Sequence, residues 1–358
     1  MRCCGSRVPC AVPPYLLEGV AKGGSRLQRR WAERALQQME RLRIERAEEA
    51  DREYMKPSVA APLRRLVYDA EGRFELPGRL VREEGGGSTG DPAVDEAYEM
   101  AGTTYRFYRE VLGRRSLDDG GLELVATVHY GEGFDNAFWN GRQMVYGDGD
   151  EDLPEGERLF RRFTSSLEIV AHELTHGVVQ YEANLKYAFQ PGALNESIAD
   201  VMGILVKQWH LGQTVDEADW LIGSDLFVEG YHARGIRSLA EPGTAYDDVA
   251  LGGKDPQPAH MRDYVELPRS KDSGGVHLNS GIPNRAFYVA AYEMGGRAWE
   301  RAGRIWYYAL RDRLRRRTDF HEAAVLTWKV AGDLYGEGSR EQVAVGTGWE
   351  EVGVPVDR

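Results

Sequence analysis

Nine residues constrain this chain more than any other feature: Glu168-Ile169-Val170-Ala171-His172-Glu173-Leu174-Thr175-His176. On a helix, residues i and i+4 share a face one turn apart. His172 and His176 can therefore converge on one tetrahedral zinc, with Glu173 beside the open coordination position as a base for bound water. The motif requires a helix interior, and Ser165 with Glu168 reads as a capping box opening that helix. A third ligand is needed, and Asn195-Glu196-Ser197-Ile198-Ala199-Asp200 offers it. Glu196 and Asp200 are again i and i+4, on a second helix running to about Trp209. One carboxylate can bind metal while the other accepts the free imidazole N–H of a ligand histidine. A structural zinc site closes with four ligands, and only three are apparent.

The rest of the chain sets the frame. Its 358 residues, 42% of them hydrophobic, suggest two or three folding units with a sizeable core. No run of about 18 apolar residues occurs, so no membrane span is expected. A net charge of −12 and a pI near 5.3 argue against a nucleic-acid binder. All three cysteines, Cys3, Cys4 and Cys10, lie in the first ten residues, so the body has no internal disulfide and any zinc site there must use His and carboxylate. Residues 1–50 hold ten basic and six acidic side chains, a net of +4, which leaves 35 basic and 51 acidic beyond them, a net of −16. A basic arm and an acidic body attract one another.

Cys3 to Tyr15 holds three prolines and a glycine, so no signal-peptide core is legible there. Pro13-Pro14-Tyr15-Leu16-Leu17 reads as an extended, polyproline-like apolar hook. Ser25 to Met55 lacks Gly and Pro, and Leu27, Trp31, Ala35, Met39 and Leu42 recur at helical spacing, predicting one amphipathic helix that lies against something else. Residues 56–91 are short strand-like pieces. A helix with Pro92 in its first turn runs to about Leu112, a strand covers Leu122 to Val128, and a second covers Ala137 to Tyr146. Beyond Phe163 the pattern is predominantly helical. The fold class is α+β.

The 19 residues between His176 and Glu196 resemble the spacing of the thermolysin-like neutral metallopeptidases. The zinc aminopeptidases with a related plan use one residue fewer and carry a Gly-x-Met-Glu-Asn motif, which has no counterpart here. Asn136-Ala137-Phe138-Trp139-Asn140 stands in its place and matches the family's substrate strand. The resemblance continues through Met144-Val145-Tyr146-Gly147-Asp148-Gly149 and Asp272-Ser273-Gly274-Gly275-Val276-His277-Leu278-Asn279-Ser280-Gly281, and weakly to Gly353. It covers about residues 91–355.

The resemblance implies a two-lobed peptidase, a β-rich lobe over 56–190 and a mainly helical lobe over 191–358, with the zinc cleft between them. It implies one catalytic Zn2+ on His172, His176 and Glu196, with Asp200 behind a ligand. It makes Glu173 the general base, His277 and Tyr187 the oxyanion donors, and Asp272 the partner that holds His277 positive. An extended substrate would add to the edge near Asn136 and Ala137. Arg237 would bind the carbonyl beyond the cleaved bond, and Phe160, Ile169, Leu226 and Ile236 would line an apolar pocket for a bulky residue there. The expected partners are protein and peptide substrates and the chain's own prosegment; a monomer is expected, with no nucleic acid and no membrane.

Departures from the family are informative. Its double calcium site, built from five acids, meets Glu168, Lys207, Asp219, Leu221 and Ser224. Ca2+ needs several oxygen ligands, so a double site is expected to be absent. A further calcium loop meets Phe227 and Val228. Residues 1–55 resemble the short propeptide of the protealysin-like branch, whose Pro-Pro-Tyr hook matches Pro13-Pro14-Tyr15. That implies a zymogen with self-cleavage between about Ala47 and Pro62. A thiolate from Cys3, Cys4 or Cys10 is a candidate for the open zinc position, although incidental thiols on a mobile end are the commoner case. The resemblance implies secretion; with no export signal legible, the alternatives are the cytoplasm or a non-classical route.

Overall fold

A computed structural model describes residues 8–47 and 61–356; Cys3, Cys4, residues 48–60 of the window expected to hold the processing site, and the continuation of the amphipathic helix to Met55 lie outside them. Two helices open the chain, α1 (Pro14–Gly23) and α2 (Arg26–Ala47). The first corrects the expected hook. Pro13 is extended, but Pro14 starts a helix, because a proline with φ near −65° is already set for the first helical position and its missing N–H costs nothing there. Leu16, Leu17 and Val20 are then buried on one face. Gly19 sits against the main chain of Leu251 and Gly252, where an added Cβ would stand 2.1 Å from the Leu251 oxygen. Along α2 the buried stripe includes Trp31, Ala32, Ala35 and Leu42.

Among the described residues, the arm is fastened by Gln28 to the Glu157 carbonyl (2.8 Å) and the Tyr231 hydroxyl (2.9 Å), by Gln38 to the Tyr130 hydroxyl (2.9 Å), and by the exposed Arg34 to Glu132.

The following lobe carries β1 (Arg65–Asp69), β2 (Arg79–Glu83), β3 (Leu124–Val128), β4 (Ala137–Trp139) and β5 (Met144–Tyr146), in the sheet order β2-β1-β3-β5-β4. The single strand expected over Ala137 to Tyr146 is a hairpin. Gly141 takes φ 99°, and Asn140 Oδ1 accepts the N–H groups of Arg142 and Gln143 at 2.9 Å, so an Asn-Gly turn folds β5 back on β4. β4 is thereby the sheet's edge. Helix α3 (Pro92–Leu112) begins at Asp91, which accepts from Ala93 and Val94, and ends at Gly113 with φ 70°.

Helices α4 (Leu167–Tyr181) and α5 (Phe189–Leu211) pack against each other across the centre, and α6 (Asp272–Asn279), α7 (Gly281–Met294), α8 (Ala302–Tyr308), α9 (Phe320–Tyr335) and α10 (Arg340–Glu351) complete a helical lobe. Residue 190, where the lobes were expected to part, lies in the first turn of α5. Gly203 of α5 lets α4 approach: a Cβ there would stand 2.6 Å from the Glu168 carbonyl. The expected capping box is absent. Ser166 caps α4 without its side chain, and Glu168 instead accepts the Gly223 N–H at 3.0 Å. No helix among the described residues is long and apolar enough to cross a membrane.

One polar staple ties sheet to helix. His129, at the end of β3, places Nε2 2.9 Å from Asp91, the α3 cap, and Nδ1 2.8 Å from Asp148. The hydrogen bond to Asp148 outweighs partial burial, and with Asp91 it raises the imidazole pKa to about 9. A raised folded-state pKa stabilises fully below the unfolded value of about 6.5 and loses that stabilisation as pH rises to about 9. The shift corresponds to at most about 3 kcal/mol, reduced because 26% of the side chain meets solvent. His129→Gln is therefore expected to lower the melting temperature at pH 6, with the difference from wild type shrinking between pH 6.5 and 9. An equal difference at both ends would show that the pair contributes through packing alone.

Candidate metal centre

Helix α4 delivers the two histidines to one point: His172 Nε2 and His176 Nε2 are 3.1 Å apart, with rings at 88°. Helix α5 delivers Glu196, whose carboxylate oxygens stand 3.6 Å from each of those nitrogens. Among the described residues this trio is the one cluster of at least three ligand groups within metal-binding distance, all within 4.8 Å of one another. Glu196 Oε2 is buried without a hydrogen-bond partner, as expected of an oxygen aimed at a cation. Two imidazole nitrogens and one carboxylate form the donor set of an open zinc site, so the residues fit the metal.

The other face of each imidazole is held. His172 Nδ1 lies 2.9 Å from Asp200 Oδ1. His176 Nδ1 lies 2.9 Å from Asn195 Oδ1, a contact that sequence reasoning did not assign although Asn195 adjoins Glu196. Asp200 also takes both arms of Arg237, at 2.7 and 2.9 Å, and the Asn284 amide at 2.9 Å. Asn284 lies 84 residues from Asp200 and no local signal marks it. Burial opposes the charge of Asp200, but Arg237 and His172 outweigh it and hold the carboxyl well below the usual range.

Glu173 is 0% exposed and neither carboxylate oxygen makes a well-formed hydrogen bond, the Trp139 backbone approaching only weakly. Burial, then the neighbouring Cys10 and Glu196, push its pKa well up; a divalent cation on the adjacent trio acts in the opposite sense. Tyr187 donates to Glu196 and lies 3.2 Å from His277 Nε2. Burial keeps the phenol protonated. For His277, burial disfavours the charge, but Glu196 and Asp272 prevail and raise the pKa well above its ordinary value.

The Asp272–His277 pairing depends on an unusual backbone. Asp272, Ser273, Gly274 and Gly275 all have positive φ, between 44° and 89°. Two of these four are glycine, which takes that region freely; Asp272 and Ser273 do not. The coil turns the Asp272 carboxylate back to accept the His277 N–H at 3.0 Å and the imidazole Nδ1 at 2.6 Å.

The described start of the arm lies in this site. Cys10 pairs antiparallel with Phe138 of the edge strand β4. The Ala11 N–H donates to the Ala137 carbonyl (3.0 Å), and the Ala11 carbonyl accepts from Arg237 Nη1 (2.8 Å). Val12 exchanges two hydrogen bonds with the Asn136 amide, at 2.9 and 3.1 Å. The Cys10 carbonyl stands 3.1 Å from His277 Nε2. Asn136, Ala137, Arg237 and His277, all singled out in the sequence, thus converge on one three-residue stretch of main chain.

Phe160, Ile169, Leu226 and Ile236 are each 0% exposed. The strand-like backbone around Phe160 pairs with that around Leu226 and Phe227, while Ile169 and Ile236 meet over Gly223. Phe227, expected where a calcium loop would be, instead tilts against Phe160 at 5.2 Å. Where the double calcium site was sought, the Lys207 ammonium lies 2.9 Å from Asp219, 2.8 Å from Ser224 and 3.5 Å from Glu168. Burial alone would lower its pKa; Glu168 and Asp219 raise it, so the cation there is a lysine.

Comparison with known proteins agrees with this architecture. Residues 42–180 match the thermolysin metallopeptidase catalytic domain and residues 183–354 the thermolysin metallopeptidase alpha-helical domain. The chain is 49% identical, over 98% of both chains, to an extracellular metalloprotease of Pectobacterium carotovorum subsp. carotovorum. It is 46% identical to the protease PrtS of Photorhabdus sp. strain Az29, over 96% of this chain and 92% of that one. Among solved structures it resembles the precursor of protealysin, a metalloproteinase of Serratia proteamaculans, with a TM-score of 0.85 and 48% identity over 97% of this chain and 99% of that one. The chain belongs to the thermolysin metallopeptidase family and is made in zymogen form.

Proposed function

We propose that His172, His176 and Glu196 hold one zinc, that Glu173 is the general base, and that substrates follow the path taken by Cys10–Val12. The observation that carries this reading is the seating of that stretch. Its backbone pairs with the edge strand, its carbonyls meet Arg237 and His277, and the Cys10–Ala11 peptide bond lies between those two anchors. Bound zinc supplies a Lewis acid and lowers the pKa of a coordinated water toward neutrality. Glu173, buried and unpartnered, accepts the proton of the attacking water and returns it to the leaving amine. Tyr187 and the positive His277 donate to the oxyanion that develops on the carbonyl. Asn136 and Arg237 fix the residues after the cleaved bond, and Asp200 holds both Arg237 and His172 in place.

The apolar quartet Phe160, Ile169, Leu226 and Ile236 supports a preference for a bulky hydrophobic residue after the cleaved bond. Lys207, supplying a fixed positive charge, supports a body that does without the double calcium site. The extracellular relatives support action outside the cell, on protein and peptide substrates; the enzyme is proposed to act as a monomer. Residues 1–55 are the prosegment and the rest is the two-lobed enzyme.

After removal of the prosegment, casein hydrolysis is expected to stop on chelation and to return with zinc. In a peptide series, Leu or Phe after the cleaved bond is expected to raise kcat/KM over Gly by about 10–100-fold, the equivalent of burying one large apolar side chain. Full activity in chelator would refute the metal reading; equal cleavage of the Gly peptide would refute the pocket.

A further inference from the structure

The seating of Cys10–Val12 poses a problem of latency. A peptide laid along its own active site in the substrate direction is cut unless the attacking water is withheld. Every main-chain anchor is made here, so poor alignment does not explain survival of the Cys10–Ala11 bond. What is unusual is the side chain before that bond. The Cys10 thiol is free and 2% exposed. Its sulfur lies 3.8 Å from His277 Nε2, which in turn stands 3.6 Å from Glu196 Oε2, the buried oxygen of the trio that no hydrogen bond satisfies. In this structure the thiol rests on two weak contacts, the one to His277 and the Val12 carbonyl at 3.4 Å. It stands outside the trio of His172, His176 and Glu196 itself.

We propose that Cys10 is the fourth zinc ligand of the zymogen, its thiolate filling the position that the catalytic water takes in the mature enzyme. The inference rests on the zinc trio proposed above. Thiolate is a strong zinc ligand that the metal itself deprotonates, and among the described residues Cys10 is the one cysteine. A closed site of two His, one Glu and one Cys has no position for water, so a correctly seated bond is not attacked. Removal or modification of the thiol reopens that position without disturbing the main-chain anchors. The prosegment is then a latch that responds to thiol chemistry and to metal supply, as well as a competitor for the cleft.

The test uses the full chain with Glu173→Ala to prevent self-cleavage and Cys3→Ser with Cys4→Ser to leave one thiol, loaded with Co2+. We expect one cobalt per chain and a near-ultraviolet sulfur-to-cobalt charge-transfer band, lost on adding Cys10→Ser although one cobalt still binds. Maleimide labelling of Cys10 is expected to slow on metal loading. Identical cobalt spectra with and without Cys10, at equal metal content, would overturn the thiolate ligand and leave the trio standing. Failure of the Cys10-containing chain to bind cobalt would overturn the trio and the latch together. In the chain with Glu173 intact, Cys10→Ser is expected to shorten the lag before processing; an unchanged lag would refute its role in latency.

Discussion

Glu173→Ala is expected to lower peptide hydrolysis by about 10²–10⁴-fold, the range associated with loss of a positioned general base, while leaving one zinc per chain. Glu173 is one residue from His172 and points into the same space, yet contributes no atom to the metal cluster. Its two oxygens are buried without partners, a costly arrangement that persists because the site uses it. Removing the carboxyl takes away an unsatisfied buried group and leaves a helix interior that alanine suits well. The variant precursor is therefore expected to melt no lower than wild type. Mass spectrometry of the two purified chains reads self-processing directly: wild type is expected to be clipped between about Ala47 and Pro62 and the variant to stay whole. Equal clipping of both would assign that cut to another protease, and unchanged casein hydrolysis would remove Glu173 from the mechanism.

The site was more legible in sequence than the path of the arm. His172, Glu173, His176, Glu196 and Asp200 sit at helical spacings, so one rule of periodicity places all five on the two facing helices α4 and α5. His277 and Asp272 were found through their motif, but the coil of positive φ that joins them depends on Gly274 and Gly275 and shows only in the backbone. Asn195 and Asn284 were missed for different reasons. Asn195 lay inside a quoted motif with nothing to distinguish it from a cap residue, whereas Asn284 meets Asp200 through tertiary packing.

The errors in secondary structure arise where a second signal, a turn or a partner surface, outweighs the pattern that was read. Asn140-Gly141 turns what reads as a continuous strand, Pro14 begins a helix because Leu16, Leu17 and Val20 have a surface to bury against, and Glu168 leaves its expected cap for Gly223 and Lys207. The charge difference between arm and body suggested electrostatic docking. Among the described residues the structure shows mainly buried apolar contact and neutral hydrogen bonds, with charge entering at the exposed Arg34–Glu132 pair and at the Arg237 bond to the Ala11 carbonyl. That is consistent with the small contribution of exposed ion pairs at physiological salt.

Asp200→Ala is expected to be the most destabilising single change in the site. The side chains of Asp200 and Arg237 are both 0% exposed and joined by two hydrogen bonds, and Asn284 and His172 complete the coordination of the carboxylate. Truncating the aspartate strands a buried guanidinium, and breaking a buried pair from one side costs about 3–5 kcal/mol. It also frees His172 Nδ1, and loss of such a partner typically weakens metal binding about 10–100-fold. The two effects separate by design. Arg237→Met in the Asp200→Ala background removes the stranded charge, so much of the melting temperature is expected to return, whereas zinc affinity is expected to stay low because His172 still lacks its acceptor. Asp200→Asn keeps an oxygen for His172 but can no longer balance Arg237, and is expected to lose stability while retaining more of the metal affinity. Thermal denaturation and zinc competition with a chromophoric chelator measure both quantities on the same samples. If Asp200→Ala melts like wild type, the pair does not stabilise the fold. If the double variant regains zinc affinity along with stability, Asp200 acts on the metal only by keeping the lobe folded.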